Sequence, residues 1–204
     1  MQAPPWKHYG WVGFLIDWID LEDAKTAGLP DGFELASFFR SDTLSCHTFA
    51  SFQPGAGTTF KEPFHEFSYL PCLTSGDFGR GFVMSKLATD NPSVLEGEKS
   101  VFGIDSVPAT FKAEGDYGLS IRPEGALEKI SVKFRKWNSL GYWRKTISFV
   151  AGGGEFPSCF QATYHGELYY CRVDRSGLGY SGRLIPLLLD RCWVTLETWK
   201  VSNE

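Results

Sequence analysis

Two short stretches of the chain carry side chains suited to acid–base chemistry. One is Phe64-His65-Glu66, and the other is the turn Ile104-Asp105-Ser106-Val107. A carboxylate on an apolar strand face has a raised pKa, which suits it to general acid–base catalysis or to orienting a substrate. We therefore take Glu66 as the candidate acid or base, with Asp105, Ser106 or a tyrosine as its hydrogen-bond partner in catalysis. The alternative is that Glu66 pairs with an arginine or a backbone donor at a barrel rim.

The strand that carries Glu66 has apolar residues on both faces. Alternation places Phe64, Ser68 and Leu70 beside Glu66, with His65, Phe67 and Tyr69 on the other face. This pattern predicts a central strand and a buried Glu66. On the predicted strand 81–87, alternation puts Phe82, Met84 and Lys86 on one face. The predicted substrate-binding residues are Phe64, Ser68, Met84, Lys86 and Phe102.

Lys86 is the candidate amine if the chemistry proceeds through an imine. Such chemistry needs a lysine whose pKa is lowered by burial or by a neighbouring cation. The alternative is that the Lys86 ammonium extends to solvent at a strand end.

Many short predicted strands separated by turns, with few helices, predict a mainly β, largely antiparallel protein. We expect a double β-barrel or cone with a few short helices. The 204 residues suit a single domain, 1–204, in which the Pro-rich residues 1–10 form a loosely docked arm. Asp20 is predicted to cap a helix ending at Gly28, and Asn91-Pro92 to open a second one. A third helix is possible at 184–191. The main later strands are expected at 110–114, 118–122, 129–137, 143–150, 159–165, 167–174 and 193–201, and the glycines 152–154 form a loop.

Composition excludes several classes of protein. The net charge is −4 and the 20 Lys and Arg residues form no run, so neither nucleic acid nor an anionic membrane is an expected partner. Aromatic residues make up 16% of the chain and suit a hydrophobic small-molecule pocket. Five widely spaced cysteines predict a reduced, cytoplasmic protein without structural disulfides. Homo-oligomerisation is possible.

No motif predicts a metal, a cofactor or a serine nucleophile. The four histidines and five cysteines lack ligand spacing. There is no G-x-S-x-G sequence, so Ser181 is interpreted as a turn residue and not as a nucleophile. No strand–GxGxxG–helix unit for a dinucleotide is present.

The order of these elements resembles the acetoacetate decarboxylase family from Leu29-Pro30-Asp31-Gly32-Phe33 onward. The similar pieces are the aromatic-x-Glu strand at 64–66, a Gly-rich hairpin, Thr89-Asp90-Asn91-Pro92 and the turn 97–106. The resemblance implies a hydrophobic central cavity, in which family decarboxylases use a lysine as Schiff-base nucleophile while a glutamate and an arginine orient a β-keto acid.

Only the glutamate of that family carries over, as Glu66. Ser106 stands in the place of the family lysine and Asp105 in that of the preceding proline. The place of the family arginine, near Trp18-Ile19, holds none. Ordinary acetoacetate decarboxylation is therefore not expected.

Three functions remain. The first is an enzyme that uses the cavity for non-imine chemistry on a carbonyl-rich, polyketide-like molecule, as a cyclase, isomerase, dehydratase or decarboxylase, in secondary metabolism. The second is a non-catalytic carrier of an apolar ligand. The third is a decarboxylase with Lys86 as a relocated imine lysine.

Overall fold

The computed structural model describes residues 4–24, 29–30, 32–76, 79–126, 128–151, 158–178 and 184–198. Twelve strands form one sheet: β1 Trp6–Asp20, β2 Glu34–Leu35, β3 Asp42–Gln53, β4 Phe64–Leu70, β5 Leu73–Gly76, β6 Gly79–Met84, β7 Lys86–Thr89, β8 Ser106–Ala113, β9 Gly118–Pro123, β10 Ile130–Ala151, β11 Ser158–Ser176 and β12 Ile185–Thr198. The helical elements are α1 Leu21–Ala24, α2 Pro92–Gly97 and a π-helical turn, Glu98–Phe102, that continues α2.

Nine strands of this part of the chain close into a ring. Their order is β11-β12-β1-β3-β4-β7-β8-β9-β10, and β10 pairs with β11 to close it, while β6, β5 and β2 branch from β10. All pairings are antiparallel except β6 with β10 and β7 with β8. The prediction of a mainly β protein with few short helices is confirmed.

Strand β4 has a buried cluster on each side. Phe64 and Leu70 belong to the larger cluster, whereas Phe67 belongs to a second one with Phe49 and Leu119. The expected central strand, with alternating residues on two apolar faces, is therefore present.

The prediction of a loose N-terminal arm at residues 1–10 is wrong from Trp6 onward. Trp6 and His8 are fully buried, because β1 lies between β3 and β12 and pairs with both. The prediction of a possible helix at 184–191 is also wrong for the described residues. Residues 185–191 lie in β12, where pairing with β1 and β11 outweighs local helix propensity.

Two expected strand breaks are β-bulges instead. β10 runs without interruption from Ile130 to Ala151, with register shifts between Lys136 and Asn138 and between Ser139 and Gly141. β11 likewise continues past Gly166 with a shift in its pairing to β12. The loop at 152–154, Ser181, and the predicted ends at Gly28 and 199–201 lie outside the described residues.

Candidate active site

β4 places Glu66 in the interior of the strand ring. Glu66 lies opposite Ala50 of β3 on one side and Thr89 of β7 on the other, and Phe64 and Ser68 on the same face are buried. Glu66 retains some accessible surface because it lines an internal cavity, whereas its Oε1 atom is closed to solvent. The alternation of a central strand thus fixes the direction of this carboxyl group.

The segment after β7 brings a second carboxyl group, Glu98, to the same place. The Asn91 side chain caps α2 by accepting hydrogen bonds from the N–H groups of Ser93 and Val94, at 2.9 and 3.3 Å. The helix then widens into the π-helical turn, which ends at Gly103 in the left-handed conformation, with φ of 65°. Glu98 is 2% exposed. Widened turns of this kind are frequent at functional sites.

Glu66 and Glu98 hydrogen-bond each other. Burial raises the pKa of both carboxyl groups, and for Glu98 the neighbouring Glu66 charge raises the pKa further. Two buried carboxyl groups in contact share one proton rather than ionise together. The raised pKa values therefore belong to the pair, which retains a proton at pH values where an exposed carboxyl group has lost it.

Ser106 holds Glu98 from the other side. Its hydroxyl group donates to Glu98 Oε2 at 2.9 Å. The parallel pairing of β7 with β8, in which Leu87 lies opposite Ser106, fixes the serine at this point. Glu66 Oε1, by contrast, has no hydrogen-bond partner among the described residues. The Glu66 side chain lines the cavity, although this oxygen itself is closed to solvent.

The cavity beside this pair is small, with a volume of about 50 Å³. That is room for about four water-sized spheres. Its polar lining consists of His8, Thr48, Glu66, Ser68, Glu98 and Tyr164; the rest is apolar and includes Met84, Phe102 and Leu87. Among the described residues that line it, none is a lysine or an arginine. Burial raises the pKa of the Tyr164 phenol, which keeps that hydroxyl group protonated.

His8 closes the cavity where β1 meets β12. It is 2% exposed, and neither ring nitrogen has a hydrogen-bond partner in the part of the chain that is described. Its ring stacks on Phe60 at 5.6 Å between centroids, and also contacts Phe52 and Phe64. Burial lowers the pKa of His8 to about 3, so the imidazole is neutral at physiological pH.

The structure brings together half of the predicted site residues. Glu66, Ser68, Met84 and Phe102 line the cavity. Ser106 acts through Glu98. Phe64 packs behind the lining, against His8 and Phe52.

Asp105 and Lys86 do not line this cavity: the prediction for Asp105 is wrong, whereas Lys86 is exposed, as the alternative of an ammonium that extends to solvent expects. Both are exposed and line a separate cleft of about 640 Å³. The shared face of Met84 and Lys86 is lost because β6 ends at Met84 and β7 begins at Lys86, so that the alternation does not continue through Ser85. Leu87 borders both the cleft and the cavity and therefore separates them.

The sequence analysis did not single out Glu98 or His8. A usable signal for Glu98 was present, because Val94, Glu98 and Phe102 recur every four residues and all three are buried. Trp6, His8 and Gly10 alternate as a strand would, but the prolines before them favoured an arm.

Neither a cluster of metal-ligating residues nor a membrane-spanning helix is found in the described part of the chain. No group of three or more His, Cys, Asp or Glu there could hold a metal ion. No helix among those residues is long and apolar enough to cross a membrane. The five cysteines are buried free thiols.

No protein-family model and no curated protein matches the chain. Solved structures do match. Acetoacetate decarboxylase from Legionella pneumophila is 11% identical with a TM-score of 0.69, and the alignment covers 97% of this chain and 88% of that one. The enduracididine biosynthesis enzyme MppR, complexed with pyruvate, is 12% identical with a TM-score of 0.66, covering 96% and 89%.

A third match is an acetoacetate decarboxylase-like enzyme from Sphingomonas wittichii RW1, 11% identical with a TM-score of 0.54, covering 97% and 94%. The chain therefore has the acetoacetate decarboxylase-like fold, as its sequence predicts.

Proposed function

We propose that the protein is an enzyme, an isomerase or lyase that transfers a proton on a small uncharged carbonyl compound without forming an imine. The observation that carries this proposal is the buried Glu66–Glu98 pair, which shares one proton at the wall of a small cavity. The solved structures of this fold in enzymes support catalysis at a coarse level.

The pair is suited to general base catalysis. A base works best when its pKa lies near the working pH, and burial moves the pKa of Glu66 upward in that direction. One oxygen of the Glu66 carboxylate takes a proton from the carbon next to the substrate carbonyl, breaking that C–H bond. The electron pair moves into the carbonyl oxygen, which accepts a hydrogen bond from the protonated Tyr164 hydroxyl.

Return of the proton from Glu66 to a different atom gives an isomer, and expulsion of a leaving group from the enol gives a lyase reaction. Glu98 donates its hydrogen bond to the other oxygen of Glu66 throughout, and Ser106 holds Glu98 in place. No external oxidant or cofactor is needed for these steps.

Two features argue against an imine mechanism. Ser106 occupies the place of the lysine in the family that the sequence resembles, and it hydrogen-bonds Glu98. Lys86, the relocated candidate, is exposed in the other cleft.

Size and charge narrow the substrate. Pockets for drug-sized ligands usually span about 300–1,000 Å³, whereas this cavity measures about 50 Å³. We therefore favour a compact compound over the polyketide-like molecule predicted from sequence. A keto-acid anion would add a second negative charge beside the singly charged pair with no cationic partner among the described lining residues, so an uncharged ketone or aldehyde fits better.

The carrier alternative is less well supported. It expects Glu66 in a salt bridge at a rim and no second polar group inside. Within the described residues Glu66 forms no salt bridge and instead has Glu98 beside it.

Solvent exchange tests the proposal directly. Wild-type protein in D₂O with hydroxyacetone should exchange the hydrogens next to the carbonyl faster than buffer does, as followed by proton NMR. Glu66→Gln should slow the exchange by about 10²–10⁴-fold, the usual contribution of a general base. Glu96→Gln is the matched control, because Glu96 is an exposed glutamate on α2, the helix that leads to Glu98. Full exchange activity in Glu66→Gln would overturn the assignment.

A further inference from the structure

We infer that His8 is a second polar anchor of the cavity, which binds a hydroxyl or second carbonyl oxygen of the substrate at the end opposite the carboxyl pair. This inference rests on the proposed function and narrows it, because it names the substrate class as small, uncharged, doubly oxygenated carbonyl compounds such as hydroxyketones. His8 lies on β1, opposite Val194 of β12, and both residues line the cavity.

The placement of His8 gives the cavity two poles. Along the interior face, β3 separates β1 from β4, and Phe52 of β3 lies opposite Phe64 of β4 between the histidine and Glu66. The His8 ring touches both phenylalanines. A ligand in the cavity therefore has aromatic side walls and meets polar atoms at its two ends.

Packing alone does not explain a histidine here. Phenylalanine would fill the same space between Phe52, Phe60 and Phe64 without burying two ring nitrogens. Buried polar atoms in native proteins nearly always have a partner, and neither His8 nitrogen has one among the described residues. Both nitrogens are closed to solvent, so a molecule in the adjoining cavity becomes the partner of one of them when the ring turns toward it.

The charge of His8 selects the chemistry of that partner. Because burial keeps the imidazole neutral, it offers one N–H donor and one nitrogen acceptor but no positive charge. A carboxylate at this end would lack a counter-ion. A hydroxyl group can either donate to or accept from a neutral imidazole, and a carbonyl oxygen can accept from it.

Two ketones of equal size test the inference. Hydroxyacetone and butanone differ only in an OH group in place of a CH₃ group. Wild-type protein should bind hydroxyacetone at least tenfold more tightly, as measured by titration of amide NMR signals. His8→Phe should remove this preference while still binding butanone, and His8→Gln should restore part of it because the amide keeps a donor and an acceptor.

A second measurement does not depend on the variants folding. Hydroxyacetone should shift the ¹⁵N resonance of one His8 ring nitrogen in the wild type, and butanone should leave both unchanged. Equal affinities for the two ketones, or an unchanged preference in His8→Phe, would overturn the role of His8.

Glu66→Gln separates this inference from the proposed function. That variant should keep the hydroxyacetone preference and the His8 shift while losing proton exchange. Binding preference without exchange in the wild type refutes the catalytic proposal alone, whereas exchange without a preference refutes the His8 anchor alone.

Discussion

The buried carboxyl pair should make the folded protein less stable as the pH rises. Burial raises the pKa of Glu66 from 4.5 to about 7. Between these values the unfolded chain has released the proton while the folded protein still holds it. Since the folded state binds more protons, the free energy of unfolding falls with increasing pH through this window.

The size of the effect follows from the shift in pKa. One unit corresponds to about 1.4 kcal/mol, so Glu66 makes a contribution of about 3 kcal/mol that is present below pH 4.5 and lost by about pH 7. The pKa of Glu98 is also raised, and this extends the decline in the same direction.

The measurement compares wild type with Glu66→Gln, which cannot ionise at that position. Urea unfolding at several pH values between 4 and 8 gives the free-energy difference between the two proteins. Burial lowers the pKa values of His8 and His47 to about 3 and about 4, so both proteins lose stability as the pH falls. This loss is the same in wild type and Glu66→Gln and cancels in the free-energy difference.

Glu66→Gln should gain about 3 kcal/mol relative to wild type from pH 4 to pH 8. The exposed control Glu96→Gln should show no such trend. A difference that is flat with pH, or that favours wild type at high pH, refutes the buried pair as described.

Three other substitutions test the supports of the site. Ser106→Ala removes the donor to Glu98 that favours its ionised form, so the pKa of Glu98 should move upward and stability should fall by about 1 kcal/mol; an unchanged Glu98 carboxyl titration, followed by NMR, contradicts this. Leu87→Ala should lower the free energy of unfolding in urea by about 2–5 kcal/mol. Loss of this side chain joins the cavity to the cleft, so the variant should bind ketones that are too large for the wild type. If the largest ketone that binds is the same in both proteins, Leu87 does not separate the two spaces. Asn91→Ala should cost about 1 kcal/mol through loss of the helix cap, and unchanged thermal unfolding would show that the cap contributes nothing.

Local patterns in the sequence were sufficient for part of the site. Alternation around Phe64-His65-Glu66 predicted the inward direction of Glu66, because a strand with two apolar faces has a fixed side-chain period. Asn91-Pro92 predicted the start of α2, because capping depends only on neighbouring residues. The acetoacetate decarboxylase-like fold was predicted from the resemblance of the sequence to that family, and the matching solved structures confirm it.

Local patterns failed where long-range pairing decides the outcome. Residues 6–10 form a buried strand only because β3 and β12, distant in sequence, meet on either side of them. The strand is interrupted at Ser85, whose N–H donates to the Tyr69 carbonyl at 3.1 Å. Lys86 therefore begins a new strand and does not share the face with Met84 that alternation had predicted.

The carboxyl pair itself belongs to the tertiary structure. The sequence by itself predicted a buried Glu66 on a central strand, and its resemblance to the decarboxylase family suggested a short hydroxyl residue, Ser106, at the lysine position. Only the folded chain decided that Ser106 hydrogen-bonds Glu98, that Glu98 meets Glu66, and that Asp105 does not. The physical reason is that a shared proton requires two carboxyl groups from separate elements in contact and out of water, a condition set by the pairing of β4 with β7 and β7 with β8.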